Sequence, residues 1–191
     1  MPRPGRPGLA VAATLLVLVA GTAAFIYSGA YDVSATSGHT GFGRWVLKAL
    51  QKRSIAVRAD GVPEPPAADS ASLTEGFERY HEMCVQCHGA PGVERGEIGR
   101  GIAPQPPDLA EEAEEHDPKR LFWVTKHGVK LAGMPAFGPT HTDEEVWAIV
   151  RFLERLPGMR ASEYARWVER HGFAAGGERH GDAPGTASRD R

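Results

Sequence analysis

The two cysteines of this 191-residue chain stand three apart in Cys84-Val85-Gln86-Cys87-His88. Two thiols at that spacing, at the end of a helix, can add to two vinyl groups on one edge of a porphyrin. The histidine that follows directly can then reach the iron. Other uses of a close cysteine pair fit less well. A thioredoxin-type dithiol needs a βαβ background, which the hydrophobic pattern lacks. A structural zinc site needs a second pair of ligands at similar spacing, and a disulfide scaffold needs more cysteines. The spacing therefore predicts one covalently bound haem c on Cys84 and Cys87, with His88 as an axial ligand.

A second axial ligand has several candidates downstream: Met134, Met159, His116, His127 and His141. Met83 is too close to the attachment segment. Met134 lies in Gly133-Met134-Pro135-Ala136-Phe137-Gly138, whose Gly and Pro exclude helix and predict a loop able to cross an open haem face. A lone Met is more often core filler than ligand, which is the reading for Met159 after Pro157-Gly158. His127 at a helix end suits carbonyl capping, although a bis-His iron stays open on the residues alone.

The elements that would position these groups read as helices throughout. Ser72-Leu73-Thr74-Glu75 has the form of a capping box, and Leu73, Phe77, Tyr80 and Cys84 recur on one helical face. Gly89 to Pro107 is too rich in Gly and Pro for a regular element. Asp117-Pro118 predicts a helix start, running to Gly128. Thr142 to Glu145 is a second capping box, opening a helix with Val146, Ile149, Val150, Leu153 and Leu156 inward and ending at Pro157-Gly158. Residues 162–171 suggest a last short helix with Tyr164, Trp167 and Val168. No stretch alternates like a strand, so the fold class is all-α. Long loops in so small a domain need a bulky apolar body to pack on.

Charge divides the chain. Residues 1–71 hold seven Lys/Arg against four Asp/Glu, and 72–160 hold ten against fifteen. An acidic domain thus follows a basic stem, with no basic patch suited to nucleic acid. Arg3 and Arg6 precede an uncharged stretch from Leu9 to Tyr27, and about 20 apolar residues cross a ~30 Å hydrocarbon core. That exceeds the roughly 7–15 apolar residues of a signal peptide, so a transmembrane anchor is favoured. Small-residue runs at 22–24 and 28–30 keep a cleaved signal open. The expected organisation is 1–8 as a cytoplasmic n-region, 9–30 anchor or signal, 31–71 basic stem and Pro-rich linker, 72–160 haem domain, 161–175 short helix and 176–191 disordered tail. Within the stem, residues 41–53 place Phe42, Trp45, Val46, Ala49 and Leu50 on one side, with Arg44, Lys48, Lys52 and Arg53 mainly on the other. Such a helix suits either lipid headgroups or packing on the folded domain.

The run from the capped helix with Gly76 and Tyr80, through CVQCHG, IAPQPPDL and LFWVTKHGVKLAGMPAFG, to TDEEVWAIVRFLERLP resembles the class I monohaem c-type cytochromes, of the membrane-anchored or periplasmic bacterial type. The resemblance covers roughly 72–157. It implies His88 as proximal and Met134 as distal ligand, and Gly76 and Tyr80 at a helix crossing against Trp147 or Phe152. It also implies a proline carbonyl, Pro104 or Pro106, accepting from the His88 ring. Two protein ligands close the iron to substrates, so the expected function is one-electron transfer between redox proteins rather than enzyme catalysis. The haem domain would face the periplasm from the inner membrane, with no small-molecule substrate. The alternatives are a tethered electron-accepting subunit of a larger oxidase or dehydrogenase, and a haem sensor or peroxidase-like enzyme. The role of His39 in the stem is not set by the resemblance. The run Glu111 to Glu115 suggests either a docking face for a basic partner or a solvated surface.

Overall fold

The structure is a computed structural model describing residues 6–67 and 69–173. The tail expected from Gly176 onward lies outside these residues, as does most of the 1–8 segment. The chain divides into two units, Met1–Ser37 and Gly38–Arg191.

In the first unit, α1 spans Arg6–Tyr27. Within the 21 residues Pro7–Tyr27, an 18-residue window has a mean hydropathy of 2.5 and buries nothing within the protein. A helix of that length rises about 31 Å, enough to cross a membrane. The hydroxyl of Thr14 donates to the Ala10 carbonyl (3.0 Å) and so satisfies itself inside the helix.

The second unit contains α2 (Gly41–Ala59), α3 (Ser70–Arg79), a π-helical turn (Tyr80–Cys84) running into α4 (Val85–His88), and α5 (Glu97–Gly101). These are followed by α6 (Leu109–Glu115), α7 (Pro118–His127), α8 (Asp143–Leu153) and α9 (Ala161–Arg170). No β-strand occurs among the described residues, which hold only isolated bridges, Ala90 with Val93 and Val129 with Met134. The all-α expectation therefore holds.

Local caps explain where the helices start. Asp117 caps α7 through Lys119 N with Pro118 in the first turn, and Thr142 with Glu145 forms a reciprocal box on α8. For α3 the cap lies earlier than the sequence pattern suggests. Asp69 Oδ1 accepts from Ser72 N (2.7 Å), and Ser72 Oγ accepts from Asp69 N (3.2 Å). A carboxylate is a stronger acceptor than a hydroxyl, so Asp69 takes the cap. Glu75 is released to pair with Arg79 at 2.9 Å, and Arg79 also bonds Glu145 of α8. Three further expectations are corrected. The Gly- and Pro-rich segment after His88 holds a one-turn helix, α5; α2 continues past Arg53 to Ala59; and α8 ends at Leu153, before Pro157.

The core forms where α3 crosses α8. Gly76 makes the approach possible: a Cβ there would stand 2.6 Å from the Ala148 carbonyl carbon and 3.2 Å from Phe152 Cβ. Tyr80 lies against Phe152, ring centroids 5.2 Å apart. Of the two crossing partners expected, Phe152 is correct. Trp147 instead faces α7, stacked on Phe122 at 4.3 Å. The α9 helix closes the other side, burying Tyr164 and setting Trp167 5.3 Å from the Phe77 ring.

Candidate haem site

Cys84, Cys87 and His88 lie on consecutive turns, because the π-helical turn passes directly into α4. Cys84 and Cys87 are not joined in a disulfide; Cys84 is buried and Cys87 half-buried. Burial, with Cys87 nearby, pushes the Cys84 thiol up to about 12. Backbone packs closely on this segment from the far side: a Cβ at Gly99 of α5 would meet Cys87 O at 2.5 Å and Cys87 Cα at 2.8 Å.

The ring of His88 is oriented by one hydrogen bond, from Nδ1 to the Pro107 carbonyl at 2.9 Å. A carbonyl can only accept, so Nδ1 carries the proton and Nε2 keeps its lone pair. This corrects the expectation of Pro104 or Pro106: Pro106 turns inward and is buried. Pro107 directly precedes Asp108, the N-cap of α6, so the start of α6 sets where its carbonyl points. Burial lowers the His88 pKa and Arg95 adds to that, while the Pro107 bond works in the opposite direction. The neutral ring is the ligating form of histidine.

Met134 stands on the loop between α7 and α8, and that loop is clamped to the end of α7. Val129 N donates to Met134 O (3.2 Å), Phe137 N to Thr125 O (3.2 Å) and Gly138 N to Lys126 O (2.9 Å). Gly128 ends α7 at φ 64°, and a Cβ there would meet Met134 O at 2.7 Å. The loop touches the segment following the attachment site at Gly133, where a Cβ would lie 2.9 Å from Ile102 Cγ2.

The other ligand candidates have local roles. His116 pairs with Glu112 at 3.3 Å. His127 is exposed and lies 4.9 Å from the Trp123 ring. His141 Nδ1 contacts Thr140 Oγ1 at 2.9 Å. Met159 packs on the core and lines a cleft of about 630 Å³ together with His88, Tyr80, Arg95, Arg100 and Asp108. Neither cysteine nor Met134 lines that cleft, so it is one flank of the site rather than the whole of it. His81 was missed by sequence reasoning. It is fully buried, with Nδ1 2.7 Å from Tyr164 Oη. Its place four residues after Phe77, on the same helical face, was the available signal.

These residues fit a haem. The cleft beside His88 contains an orphaned cationic atom, Arg95 Nε, buried without a hydrogen-bond partner. Burying such a group is costly unless an anion or acceptor meets it, and a porphyrin carries carboxylates. Two cysteine sulfurs and an imidazole with Nε2 available complete a donor set suited to that cofactor.

Residues 71–153 match the family model described as cytochrome C oxidase, cbb3-type, subunit III. No curated protein matches the chain. With the all-α architecture, the match identifies this segment as a monohaem c-type cytochrome domain of the class I fold. The chemistry of such a domain is electron transfer through haem.

Proposed function

We propose that this protein carries single electrons through one haem held covalently by Cys84 and Cys87, with His88 and Met134 as its axial ligands. The reading rests chiefly on the His88 ring, which follows Cys87 directly and is fixed by the Pro107 carbonyl with Nε2 left to coordinate. When bound, haem supplies an iron that cycles between two oxidation states.

The chain's own residues determine the rest. The thiols tether the porphyrin edge, and the Pro107 bond holds the imidazole in one tautomer and orientation. The clamped loop presents Met134 from a separate element. Two protein ligands leave no position for a substrate, and a thioether ligand favours the reduced state relative to bis-His iron. Arg95 balances carboxylate charge. In this reading α1 anchors the chain in the inner membrane, residues 31–71 form the stem, and the domain of 72–160 works in the periplasm with redox protein partners.

The test is Met134→Ala in the holoprotein. It should abolish the weak thioether-to-iron band at the red end of the ferric spectrum and lower the reduction potential. Met159→Leu is the companion variant, because Met159 lines the cleft with His88. If the first variant leaves both observables intact and the second removes them, the distal role passes to Met159. High-spin ferric iron in the parent protein would instead favour the sensor or peroxidase-like reading.

A second reading has one specific support, the oxidase-subunit description of the matching family. Here the protein is the tethered electron-accepting subunit of a larger oxidase. Stable co-purification with other haem or copper subunits in mild detergent would favour it over a free-standing carrier.

A further inference from the structure

The helix α2 is fixed at one end and open at the other. Its last residue, Ala59, is buried, as is Val62 just beyond, and the helix packs on α7. Lys119 of α7 pairs with Glu64 in the following segment at 2.5 Å. The N-terminal turns are different. Phe42, Trp45 and Leu50 are 75%, 66% and 63% exposed, with the Phe42 and Trp45 rings 6.0 Å apart. At about 100° per residue these three share a face with Val46 and Ala49; Arg44 and Lys48 lie on the opposite side, Lys52 flanks Trp45, and Arg53 falls on the apolar face three residues beyond Leu50, toward the packed end of the helix. The helix carries five cations and no Asp or Glu.

An exposed Phe–Trp pair on a purely basic helix matches the chemistry of an anionic bilayer interface. The rings suit the boundary between headgroups and acyl chains. Each Lys or Arg near such a surface is drawn to lipid phosphate. The covalent order supplies the second argument. Only residues 28–40 separate α1 from α2, and thirteen extended residues reach at most about 45 Å. A chain anchored by α1 cannot carry α2 farther than that from the membrane.

We propose that the N-terminal half of α2 lies on an anionic lipid surface, with Phe42, Trp45 and Leu50 at the acyl boundary and Arg44, Lys48 and Lys52 on lipid phosphates. Because the other end of α2 is packed on α7, which leads into the Met134 loop, this contact restrains the tilt of the haem domain. The proposal rests on α1 being the membrane anchor, and the two are tested separately.

The full-length holoprotein is reconstituted into vesicles of brominated phosphatidylcholine, with or without phosphatidylglycerol. Subtracting the fluorescence of Trp45→Phe from that of the parent isolates Trp45 from the other tryptophans. The expected result is at least twofold quenching of Trp45 in the anionic vesicles, lost on high salt and in Lys48→Glu/Lys52→Glu. An unquenched Trp45, or quenching equal in both lipids and indifferent to charge reversal, overturns the proposal. Concentration-dependent shielding from aqueous acrylamide without lipid quenching assigns the face to a second copy of the chain, which also overturns it. Carbonate extraction of the same vesicles reads α1 independently. If the protein is released, the anchor reading fails, and the same quenching measured with protein added from outside decides α2 on its own.

Discussion

Replacing Gly76 by Ala tests whether the crossing of α3 and α8 is as close as the backbone places it. The new methyl carbon would stand 2.6 Å from the Ala148 carbonyl carbon, with the oxygen closer still, and 3.2 Å from Phe152 Cβ. Carbon atoms pack at about 3.5–4.0 Å, so the helices must separate by roughly 1 Å, and a gap of that size forfeits a quarter to a half of each contact's attraction. Neither neighbour is a flexible side-chain end, and α8 is buried along Val146–Val150, so local adjustment offers little relief. Overpacking of this kind costs about 1–3 kcal/mol and sometimes more. A contact this short belongs at the upper end of that range, about 3 kcal/mol, and the better helix propensity of Ala returns about 1 kcal/mol, for a net loss of about 2 kcal/mol. With a urea m-value of about 1–3 kcal/mol/M for a small domain, the unfolding midpoint of the holoprotein should fall by about 1 M. Gly101→Ala is the control, since nothing lies within 4 Å of a Cβ there. A Gly76→Ala protein unfolding within about 0.5 kcal/mol of the parent, the range of an ordinary surface change, would refute the close crossing.

Gly128→Ala should disturb the site more than the fold, because φ is 64° and the added Cβ meets the Met134 carbonyl at 2.7 Å; the ferric thioether band should weaken and the potential drop. Tyr164→Phe removes a 2.7 Å bond from buried His81 and should cost about 1–3 kcal/mol in urea unfolding at neutral pH. Burial also holds the Tyr80 and Tyr164 hydroxyls protonated well above their ordinary value of 10.0. The unfolded chain ionises near pH 10 while the native one keeps these protons, so their stabilisation is full below pH 10 and declines above it. Tyr164→Phe should therefore flatten the loss of stability between pH 9 and 11, roughly halving the tyrosine contribution. Leu131 sits at φ 63° and is 77% exposed, so Leu131→Asn should relieve about 1 kcal/mol of left-handed strain and raise the melting temperature. An unchanged melting temperature would show that the turn is not strained.

The readable parts of this protein were those that local chemistry determines. Asp117-Pro118 and the Thr142/Glu145 box announce their helices because a cap acts within one turn, and Phe77, Tyr80 and Cys84 declare their face by periodicity alone. The misassigned parts depend on neighbours distant in sequence. Pro107 rather than Pro104 or Pro106 serves His88 because the start of α6 aims that carbonyl, and no spacing rule encodes that direction. Trp147 turns to Phe122 on α7 because Ala148 and Phe152 already occupy the crossing with Gly76. The short α5 was invisible because Gly99 is selected for close approach to Cys87, so a glycine that argues against a helix in isolation is required by packing. His81 illustrates a further limit, since a buried histidine is recognisable only when its partner, Tyr164 on α9, is seen beside it.

The central claim is that Cys84 and Cys87 hold one haem while His88 follows as its ligand. Mass spectrometry of the purified holoprotein, whole and after proteolysis, tests it most directly. The expected result is a single haem adduct that survives denaturation and maps to the peptide containing both Cys84 and Cys87, with neither thiol open to alkylation. A chain at its unmodified mass, with both cysteines alkylated or joined as a disulfide, would contradict the account.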